Sequence, residues 1–233
     1  MTAARPVLLP GNMCDQRLWT AAVRDALPGA IDADLTRDDR VDAMALRALA
    51  GTDDPLIPVG FSMGGIVALA MADLAPERIA GLVLLDTNAG ADLPARAAVR
   101  PRQQADVRAG SLERIVTEEL KPHYLAPTRR GDTALLALLR DMAMTLGADI
   151  FVRQSEALRT RADRAHVPPA LDAPVLIACG AEDRLCPPDR HVALAAAAPR
   201  ATLRIVPDAG HMLPLEQPAA LASMLAEWMK DAS

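Results

Sequence analysis

A serine stands between two glycines in the motif Gly60-x-Ser62-x-Gly64. The apolar run Leu56–Val59 before it is typical of a buried strand, and the Ala-rich run Ile66–Ala72 after it is typical of a helix. This pattern predicts a nucleophile elbow, a sharp strand-to-helix turn that exposes a serine hydroxyl above a sheet. Glycines flank it because larger side chains would collide where the strand and the helix cross. Ser62 is therefore the candidate nucleophile; the alternative is a glycine-rich turn whose serine only caps the helix.

A serine hydroxyl is nearly inert at neutral pH and needs a base, which a third group must orient. Hydrolases with an elbow carry these residues in the order Ser, acid, His. Among the 4 histidines, His211 is the candidate base, because it lies in the loop after the last predicted strand. The alternative is a loop histidine that caps the last helix. The other three fall within a predicted helix or the helical segment described below: His191, His123 and His166.

Asp183 is the candidate acid, because it follows a predicted strand and precedes His211 in the chain. Asp86 is the main alternative, since it also ends a predicted strand. Glu182 is adjacent to Asp183 but would point in a different direction, and Asp208 is interpreted as a turn residue. The role of the acid would be to fix the imidazole tautomer and to stabilise its charged form.

Two backbone N–H groups are expected to bind the oxyanion that forms when the serine attacks an acyl group. One belongs to Met63, directly after the serine. The other is expected in the loop after the first strand, where Gly11 lets the backbone turn towards the site. In that loop we favour the N–H of Asn12, with Met13 as the alternative. Each such donor typically lowers the barrier by about 3 kcal/mol.

Strands that alternate with helices must position these residues. The predicted strands are Pro6–Leu9, Ala30–Leu35, Leu56–Gly60, Ile79–Leu85, Pro174–Gly180 and Thr202–Val206. The helices predicted between the early strands are Gln16–Ala26 and Val41–Ala50, and the elbow helix ends near Pro76. This alternation implies right-handed crossovers and a parallel sheet. Because parallel strands present their carboxyl ends at one edge, we expect Ser62, Asp183 and His211 to meet there.

No strand is predicted from about residue 92 to residue 167. Two apolar stripes recur there at helical spacing, and Ser111 is the candidate N-cap of the first. The first stripe is Leu112, Ile115, Val116 and Leu120, and the second is Leu135, Leu138, Leu139, Met142 and Leu146. The predicted domains are therefore an α/β core at 1–90 and 168–233 and an inserted helical lid at 91–167. We interpret the apolar stripes as packing against the core, the alternative being that some of them line a substrate cavity. The many arginines of this segment would suit an anionic substrate, although interspersed acids favour a solvated surface.

Four motifs occur in order and at suitable spacing: Leu8-Leu9-Pro10-Gly11, Gly60-Phe61-Ser62-Met63-Gly64-Gly65, Gly180-x-x-Asp183-x-x-x-Pro187 and Gly210-His211. In these motifs the chain resembles the α/β-hydrolase fold superfamily, and particularly its small serine esterases and cofactor-free perhydrolases. The resemblance implies a doubly wound, mostly parallel sheet of about six strands with a helical lid, because relatives usually have two more strands before Val7. It also implies that no cofactor or metal is needed. Pro10 departs from the pattern, since a histidine that often braces the oxyanion loop usually stands there.

Composition argues against several classes of protein. The net charge of −5 disfavours nucleic-acid binding, which usually needs a basic face. The sequence shows no signal-peptide core and no apolar run of about 18 residues, so we expect neither secretion nor a membrane partner. Three cysteines without a CxxC pair indicate reduced thiols and a cytoplasmic protein.

The leading hypothesis is hydrolysis of a small-molecule carboxylic ester or thioester through an acyl-enzyme on Ser62. One alternative is a carbon–carbon bond hydrolase or lyase of the same fold that acts on an anionic substrate. Another is a non-catalytic member that only binds a ligand. Cys14 is expected near the pocket as an inert thiol rather than a second nucleophile. The chain is expected to be a monomer or a homodimer.

Overall fold

The computed structural model describes residues 4–231, which form a six-stranded sheet in the order β2-β1-β3-β4-β5-β6. All of its strand pairs are parallel. The strands are β1 Arg5–Leu9, β2 Ile31–Asp32, β3 Leu56–Phe61, β4 Leu82–Leu85, β5 Val175–Gly180 and β6 Ala201–Val206. The prediction of a mostly parallel sheet of about six strands is confirmed.

Helices connect the strands and cover both faces of the sheet. They are α1 Ala21–Asp25, α2 Val41–Leu49, α3 Met63–Leu74, α4 Pro94–Arg108, α5 Leu112–Arg114, α6 Thr133–Leu146, α7 Ala148–Arg159, α8 Val167–Ala170, α9 Pro188–Ala197, α10 Leu213–Glu216 and α11 Pro218–Asp231. Shorter 3₁₀ turns lie at Gln16–Leu18, Pro76–Arg78, Lys121–His123 and Pro127–Arg129, and a π-helical turn lies at Ile115–Leu120.

The side chains of β4 alternate between two separate hydrophobic cores. Leu82 and Leu84 pack into the core that α2 and α3 cover, and Val83 and Leu85 pack into the core that α1 and α11 cover. Successive side chains of a strand point to opposite faces, so a strand that is covered on both faces must be apolar throughout. Strands β3, β4 and β5 are accordingly buried along their whole length.

The predicted helix Gln16–Ala26 is not continuous. The Asp15 carboxylate accepts the N–H of Arg17 at 3.0 Å and begins a 3₁₀ turn that ends at Trp19 in an extended conformation. Helix α1 starts only after that break. The sequence pattern is compatible with one helix, but the local hydrogen bond of Asp15 competes with the helical backbone pattern.

Three other elements differ from the predictions in detail. The strand predicted at Ala30–Leu35 is reduced to the two residues of β2, which is an edge strand rich in aspartate. Strand β4 begins at Leu82, and Ile79 forms only an isolated bridge to Leu56. Ser111 precedes α5, but its side chain makes no capping hydrogen bond.

The segment between β4 and β5 is helical, as expected. The first predicted apolar stripe forms a small core with Phe151 and with Met13 from the loop after β1. Leu135, Leu139 and Met142 from the second stripe join the core on the α1 and α11 side of the sheet. Both stripes therefore serve packing, and Leu120 of the first stripe also lines the cavity described below. None of the helices within residues 4–231 combines the length and apolar character that crossing a membrane requires.

Candidate active site

Ser62 occupies the turn between β3 and α3 with its backbone in the left-handed region, at φ 51°. Its N–H donates to the Leu85 carbonyl at 2.9 Å, and Thr87 Oγ1 donates to its carbonyl at 2.7 Å. A Cβ on Gly60 would lie 2.4 Å from the Gly64 carbonyl oxygen, and one on Gly64 would lie 1.9 Å from a carbonyl oxygen of β1. Only glycine fits at these two positions, so the close crossing that the motif predicts is present.

The three candidate catalytic side chains form one hydrogen-bonded chain. The Ser62 Oγ lies 2.9 Å from His211 Nε2, and His211 Nδ1 lies 2.8 Å from Asp183 Oδ2. Ser62 follows β3, Asp183 follows β5 and His211 follows β6, so all three come from the carboxyl edge of the sheet. With the Nδ1 proton facing the carboxylate, Nε2 is free to accept the serine proton.

Backbone groups hold Asp183 in its orientation. Its Oδ1 accepts the N–H groups of Leu185 at 2.7 Å and Cys186 at 2.9 Å, which leaves Oδ2 for the imidazole. Burial alone would raise the pKa of Asp183, but His211 and these two N–H groups lower it below the usual value. The carboxyl group is therefore ionised near neutral pH and suited to stabilise an imidazolium.

Asp86, the main alternative acid, lies beside Asp183 but does not contact the imidazole. It is fully buried, and its Oδ1 accepts the N–H of Gly180 at 2.9 Å. Its Oδ2 has no hydrogen-bond partner within the described part of the chain. Burial, followed by the nearby charge of Asp183, raises its pKa well above the usual value. Asp183, and not Asp86, is therefore the carboxylate that bonds to the imidazole. Asp208 lies in the turn after β6 with a φ of 54°.

Two backbone N–H groups without acceptors among the described residues indicate a candidate oxyanion site. Neither the Asn12 N–H nor the Met63 N–H has an acceptor within residues 4–231, and both residues line the cavity that contains Ser62. The alternative donor, the N–H of Met13, is occupied because it donates to Gln154 Oε1 at 2.9 Å. A Cβ on Gly11 would lie 2.7 Å from the ring of Phe61, so the glycine lets this loop approach the elbow.

Gln154 braces the loop after β1, which contains Asn12, and was not identified from the sequence. Its Oε1 accepts the Met13 N–H and the side-chain amide of Asn12, and its Nε2 donates to the Leu35 carbonyl at 3.2 Å. Its side chain is 1% exposed and comes from α7 in the helical segment. A buried glutamine thus holds the loop that Pro10 cannot brace. Its partners are more than a hundred positions away in the chain, so no local pattern indicated them.

Glu216 fixes the loop of His211 and was also missed. Its Oε1 accepts the N–H groups of Gly210 at 2.9 Å and Met212 at 3.0 Å, on either side of the histidine. Its Oε2 accepts the Ala126 N–H at 2.8 Å, from the helical segment. The only signal in the sequence is that Glu216 comes directly after three apolar residues, with which it forms α10. An acid in such a position is a weak indication of a buried carboxylate.

Tyr124 joins the helical segment to the candidate base. Its carbonyl accepts the His211 N–H at 2.6 Å, and the two rings lie 5.7 Å apart in a tilted arrangement. A Cβ on Gly210 would lie 2.6 Å from the same Tyr124 carbonyl oxygen, so the two backbones are in direct contact. The segment after α5 is therefore part of the site.

The remaining histidines are elsewhere or have other partners. His191 is buried in α9, and its Nε2 accepts the Thr87 N–H at 3.0 Å. His166 is exposed and lies 3.0 Å from Asp73. His123 lines the cavity, and the histidine that bonds to the Ser62 hydroxyl is His211.

A cavity of about 480 Å³ opens onto Ser62 and His211, so the elbow is accessible to a small molecule. Cys14 lines it, as expected. Burial raises the pKa of the Cys14 thiol to about 12, which keeps the thiol protonated and inert. Arginines and apolar side chains share the rest of the wall.

Asp183, Cys186 and His211 bring three potential metal-ligand atoms within 4.8 Å of one another. Two of these residues already bond to each other. Burial raises the pKa of the Cys186 thiol to about 12, which disfavours the thiolate that binds metals. The cluster is better explained by the Asp183–His211 pair than by a metal site.

Comparison with known proteins agrees with this geometry. A pimeloyl-[acyl-carrier protein] methyl ester esterase of Neisseria meningitidis serogroup C is 29% identical over 177 residues, which cover 73% of this chain and 67% of that protein. A thermophilic esterase from Thermogutta terrifontis, solved with malate bound, superposes with a TM-score of 0.89 at 27% identity, covering 99% of this chain and 91% of that one.

The enol-lactonase from Burkholderia xenovorans LB400 has a TM-score of 0.84 at 19% identity over 99% of this chain and 92% of its own, which supports the fold alone. The model of the alpha/beta hydrolase family matches residues 7–224. Because this match spans nearly the whole sequence and the sheet and elbow have the corresponding geometry, the chain belongs to the alpha/beta hydrolase family.

Proposed function

We propose that this chain is a serine hydrolase that cleaves a carboxylic ester or thioester of a small molecule through an acyl-enzyme. The observation that carries the proposal is the unbroken pair of hydrogen bonds from Ser62 through His211 to Asp183, at 2.9 and 2.8 Å. The pair ends at a hydroxyl that faces an open cavity. The esterase names of the relatives are consistent with this reaction.

In the acylation step, Ser62 Oγ attacks the acyl carbon while His211 Nε2 takes the hydroxyl proton. The ionised Asp183 stabilises the imidazolium that results. The oxyanion accepts the N–H groups of Asn12 and Met63, which have no competing acceptor in the described chain. His211 then gives its proton to the leaving alcohol or thiol.

In the deacylation step, water takes the place of the leaving group. His211 Nε2 removes a proton from this water, whose oxygen attacks the acyl carbon bound to Ser62. The same two N–H groups hold the second oxyanion. When it collapses, Ser62 recovers its proton from His211 and the carboxylic acid is released. Each step conserves atoms and requires no cofactor or metal.

The helical segment at 91–167 acts in this proposal as the lid of the site, inserted between the two parts of the α/β core. Residues of α4 and of the turn Lys121–His123 line the cavity, and Tyr124 contacts His211 directly. A substrate must therefore fit between the sheet edge and this segment. The proposed partner is a small molecule, and a monomer or homodimer in the cytoplasm remains our prediction.

The Ser62→Ala variant tests the proposal with p-nitrophenyl acetate and a fluorophosphonate probe. Turnover is expected to fall by about 10⁴-fold or more, and the probe is expected to stop labelling the protein. Ser111→Ala is the matched control, because its half-buried side chain makes no capping hydrogen bond. Wild-type turnover or labelling in the Ser62→Ala protein would contradict the assignment.

A substrate panel separates this reaction from carbon–carbon bond cleavage on the same site. The panel contains acyl p-nitrophenyl esters, acyl-CoA thioesters and a vinylogous diketone. We expect turnover of esters or thioesters that depends on Ser62. Turnover confined to the diketone would replace the proposal with a carbon–carbon bond hydrolase, and binding without turnover of any member would indicate a ligand-binding protein.

A further inference from the structure

Four arginines line the cavity above Ser62, although the chain as a whole carries a net charge of −5. They come from three separate places: Arg96 and Arg100 from α4, Arg161 from the residues after α7, and Arg184 from the loop after β5. Positive charge is therefore concentrated at the one place in this acidic protein where the proposed substrate must lie.

Two of these arginines share a single carboxylate. Arg100 Nε lies 2.6 Å from Asp92 Oδ2, and Arg161 Nη1 lies 2.9 Å from Asp92 Oδ1. The Asp92 side chain is only 1% exposed. Arg161 also donates to the carbonyls of Gly90 and Leu158, so its guanidinium is held in place. Arg100, Arg161 and Asp92 therefore form a structural cluster. Because the single carboxylate compensates only one of the two guanidinium groups, the cluster still contributes one positive charge to the cavity wall.

The other two arginines have no carboxylate partner within residues 4–231. Arg96 is exposed, and its Nη2 donates to the Leu185 carbonyl at 3.2 Å. Arg184, the residue before Leu185, is exposed and makes no ion pair or side-chain hydrogen bond. Both guanidinium groups thus lie at the loop after β5, where this loop lines the cavity, and each has N–H donors available for a ligand.

The acidic residue among those that line the cavity already has partners. Glu119 lines the cavity, but Arg102 and Arg114 both pair with it. It therefore leaves the charges of Arg96 and Arg184 uncompensated. Most other arginines of the helical segment have acid partners. Arg96 and Arg184 differ from the remaining unpaired ones because they line the cavity.

We propose that Arg96 and Arg184 form a subsite for an anionic group that the ester substrate carries away from its scissile bond. The inference rests on the proposed function and adds the class of substrate: an ester or thioester with a terminal carboxylate or phosphate. Guanidinium groups recognise both anions through charge-assisted hydrogen bonds. The apolar wall beside them, which includes Val99 and Leu120, suits the chain between the anion and the ester.

The test compares acid-tailed and neutral esters of equal length. The probes are p-nitrophenyl esters of linear acids of about six to eight carbons, a size suited to a cavity of this volume, that end in a carboxylate, a phosphate or a neutral carboxamide. We measure the ratio of kcat/KM for each anionic ester to that for the carboxamide, in low salt and in about 1 M salt, where the Debye length is about 3 Å.

The wild-type ratio is expected to exceed about ten at low salt, and Arg96→Gln and Arg184→Gln are each expected to lower it by about tenfold, the factor of one charge-assisted hydrogen bond. The ratio cancels any general loss of activity in a variant. Arg204→Gln is the matched control, because Arg204 is exposed on β6 outside the cavity and also lacks an acid partner. The tail that gives the larger ratio identifies the carboxylate or the phosphate as the ligand.

A ratio near one in the wild type, or a ratio that Arg96→Gln and Arg184→Gln leave unchanged, would overturn the subsite. A separate arm needs no turnover: calorimetry of the non-hydrolysable amide analogue of the acid-tailed ester with the Ser62→Ala protein. Binding that depends on Arg96 and Arg184, without hydrolysis by the wild type, would refute the proposed function and keep the subsite. Hydrolysis without any preference for the anionic tail would support the proposed function and refute the subsite.

Discussion

Replacement of Glu216 separates two roles of one buried carboxylate. Its Oε1 holds the N–H groups of Gly210 and Met212, and its Oε2 holds the N–H of Ala126. In Glu216→Gln, one oxygen becomes an NH₂ group of nearly the same size. The amide is expected to keep its oxygen towards Gly210 and Met212, where it satisfies two donors, and to turn its NH₂ towards Ala126. The loop of His211 is then retained and the contact with the helical segment is lost.

The expected loss of stability in the Glu216 variants follows from these contacts. Burial raises the pKa of Glu216 despite its three N–H partners, so the loss of the charge by itself is not costly. The cost in Glu216→Gln is one buried N–H left without an acceptor, about 1–3 kcal/mol. For a chain of this size that corresponds to a fall in Tm of roughly 2–12 °C. Glu216→Ala leaves all three donors unpaired and is expected to cost about 3–5 kcal/mol.

The assay measures kcat and KM with p-nitrophenyl acetate, together with Tm. Glu216→Gln is expected to change kcat by less than about tenfold, whereas Glu216→Ala frees the His211 loop and is expected to lower kcat by about 100-fold with little change in KM. Glu227→Ala is the control, because Glu227 is an exposed acid of α11 that makes no side-chain hydrogen bond or ion pair among the described residues. A folded Glu216→Ala protein with wild-type kcat would refute the positioning role.

Three further predictions address the acid, the oxyanion loop and the helical segment. Asp183→Asn is expected to lower kcat by about 10³–10⁴-fold, whereas Asp86→Asn, which leaves the Asp183–His211 hydrogen bond in place, is expected to change it by less than about threefold. Gln154→Ala leaves the Met13 N–H without its acceptor and is expected to cost about 1–3 kcal/mol of stability and about tenfold in kcat. Glu119→Gln is expected to lower Tm by no more than about 4 °C near pH 6, because its ion pairs with the exposed arginines Arg102 and Arg114 contribute less than about 1 kcal/mol together.

The pH dependence of the last effect has a definite sign. Hydrogen bonds from Arg102 and Gln103 lower the pKa of Glu119 from 4.5 to about 2. Because the folded-state pKa is depressed, the stabilisation is present above about pH 4.5 and is lost as the pH falls towards 2. The Tm difference between Glu119→Gln and the wild type must therefore shrink between pH 5 and pH 3, and a constant difference would contradict this origin. Equal effects of Asp183→Asn and Asp86→Asn on kcat would contradict the assignment of the acid. A Gln154→Ala protein with wild-type kcat would contradict the role of Gln154 in holding the loop after β1.

The sheet could be predicted because its signals are local. Each central strand is an apolar run, and the alternation with helices requires parallel crossovers. The break before α1 could not be predicted, because a helical spacing of apolar residues does not reveal that the Asp15 carboxylate will bond to a nearby N–H instead. The boundaries of the edge strand β2 depend on pairing with one neighbour only, which a sequence does not show.

The candidate site was predictable to the extent that chain order reflects sheet topology. Ser62, Asp183 and His211 each follow a strand that ends at the same edge, and the structure brings their side chains within hydrogen-bond distance. Their catalytic roles remain the proposal tested above. The sequence did not exclude Asp86 as the acid, because Asp86 follows a predicted strand just as Asp183 does.

By itself the sequence determined where the sharp turn lies and which fold must present it, because strand period, helix period and glycine spacing are properties of neighbouring residues. Only the tertiary structure decided which carboxylate faces the imidazole and which side chains hold the two loops around it. Gln154 and Glu216 act on loops through N–H groups of other elements, and Arg96 of α4 donates to the carbonyl of Leu185, which follows Arg184 in the chain. These relations depend on distances between residues that are remote in the chain, and the folding of the whole chain sets such distances.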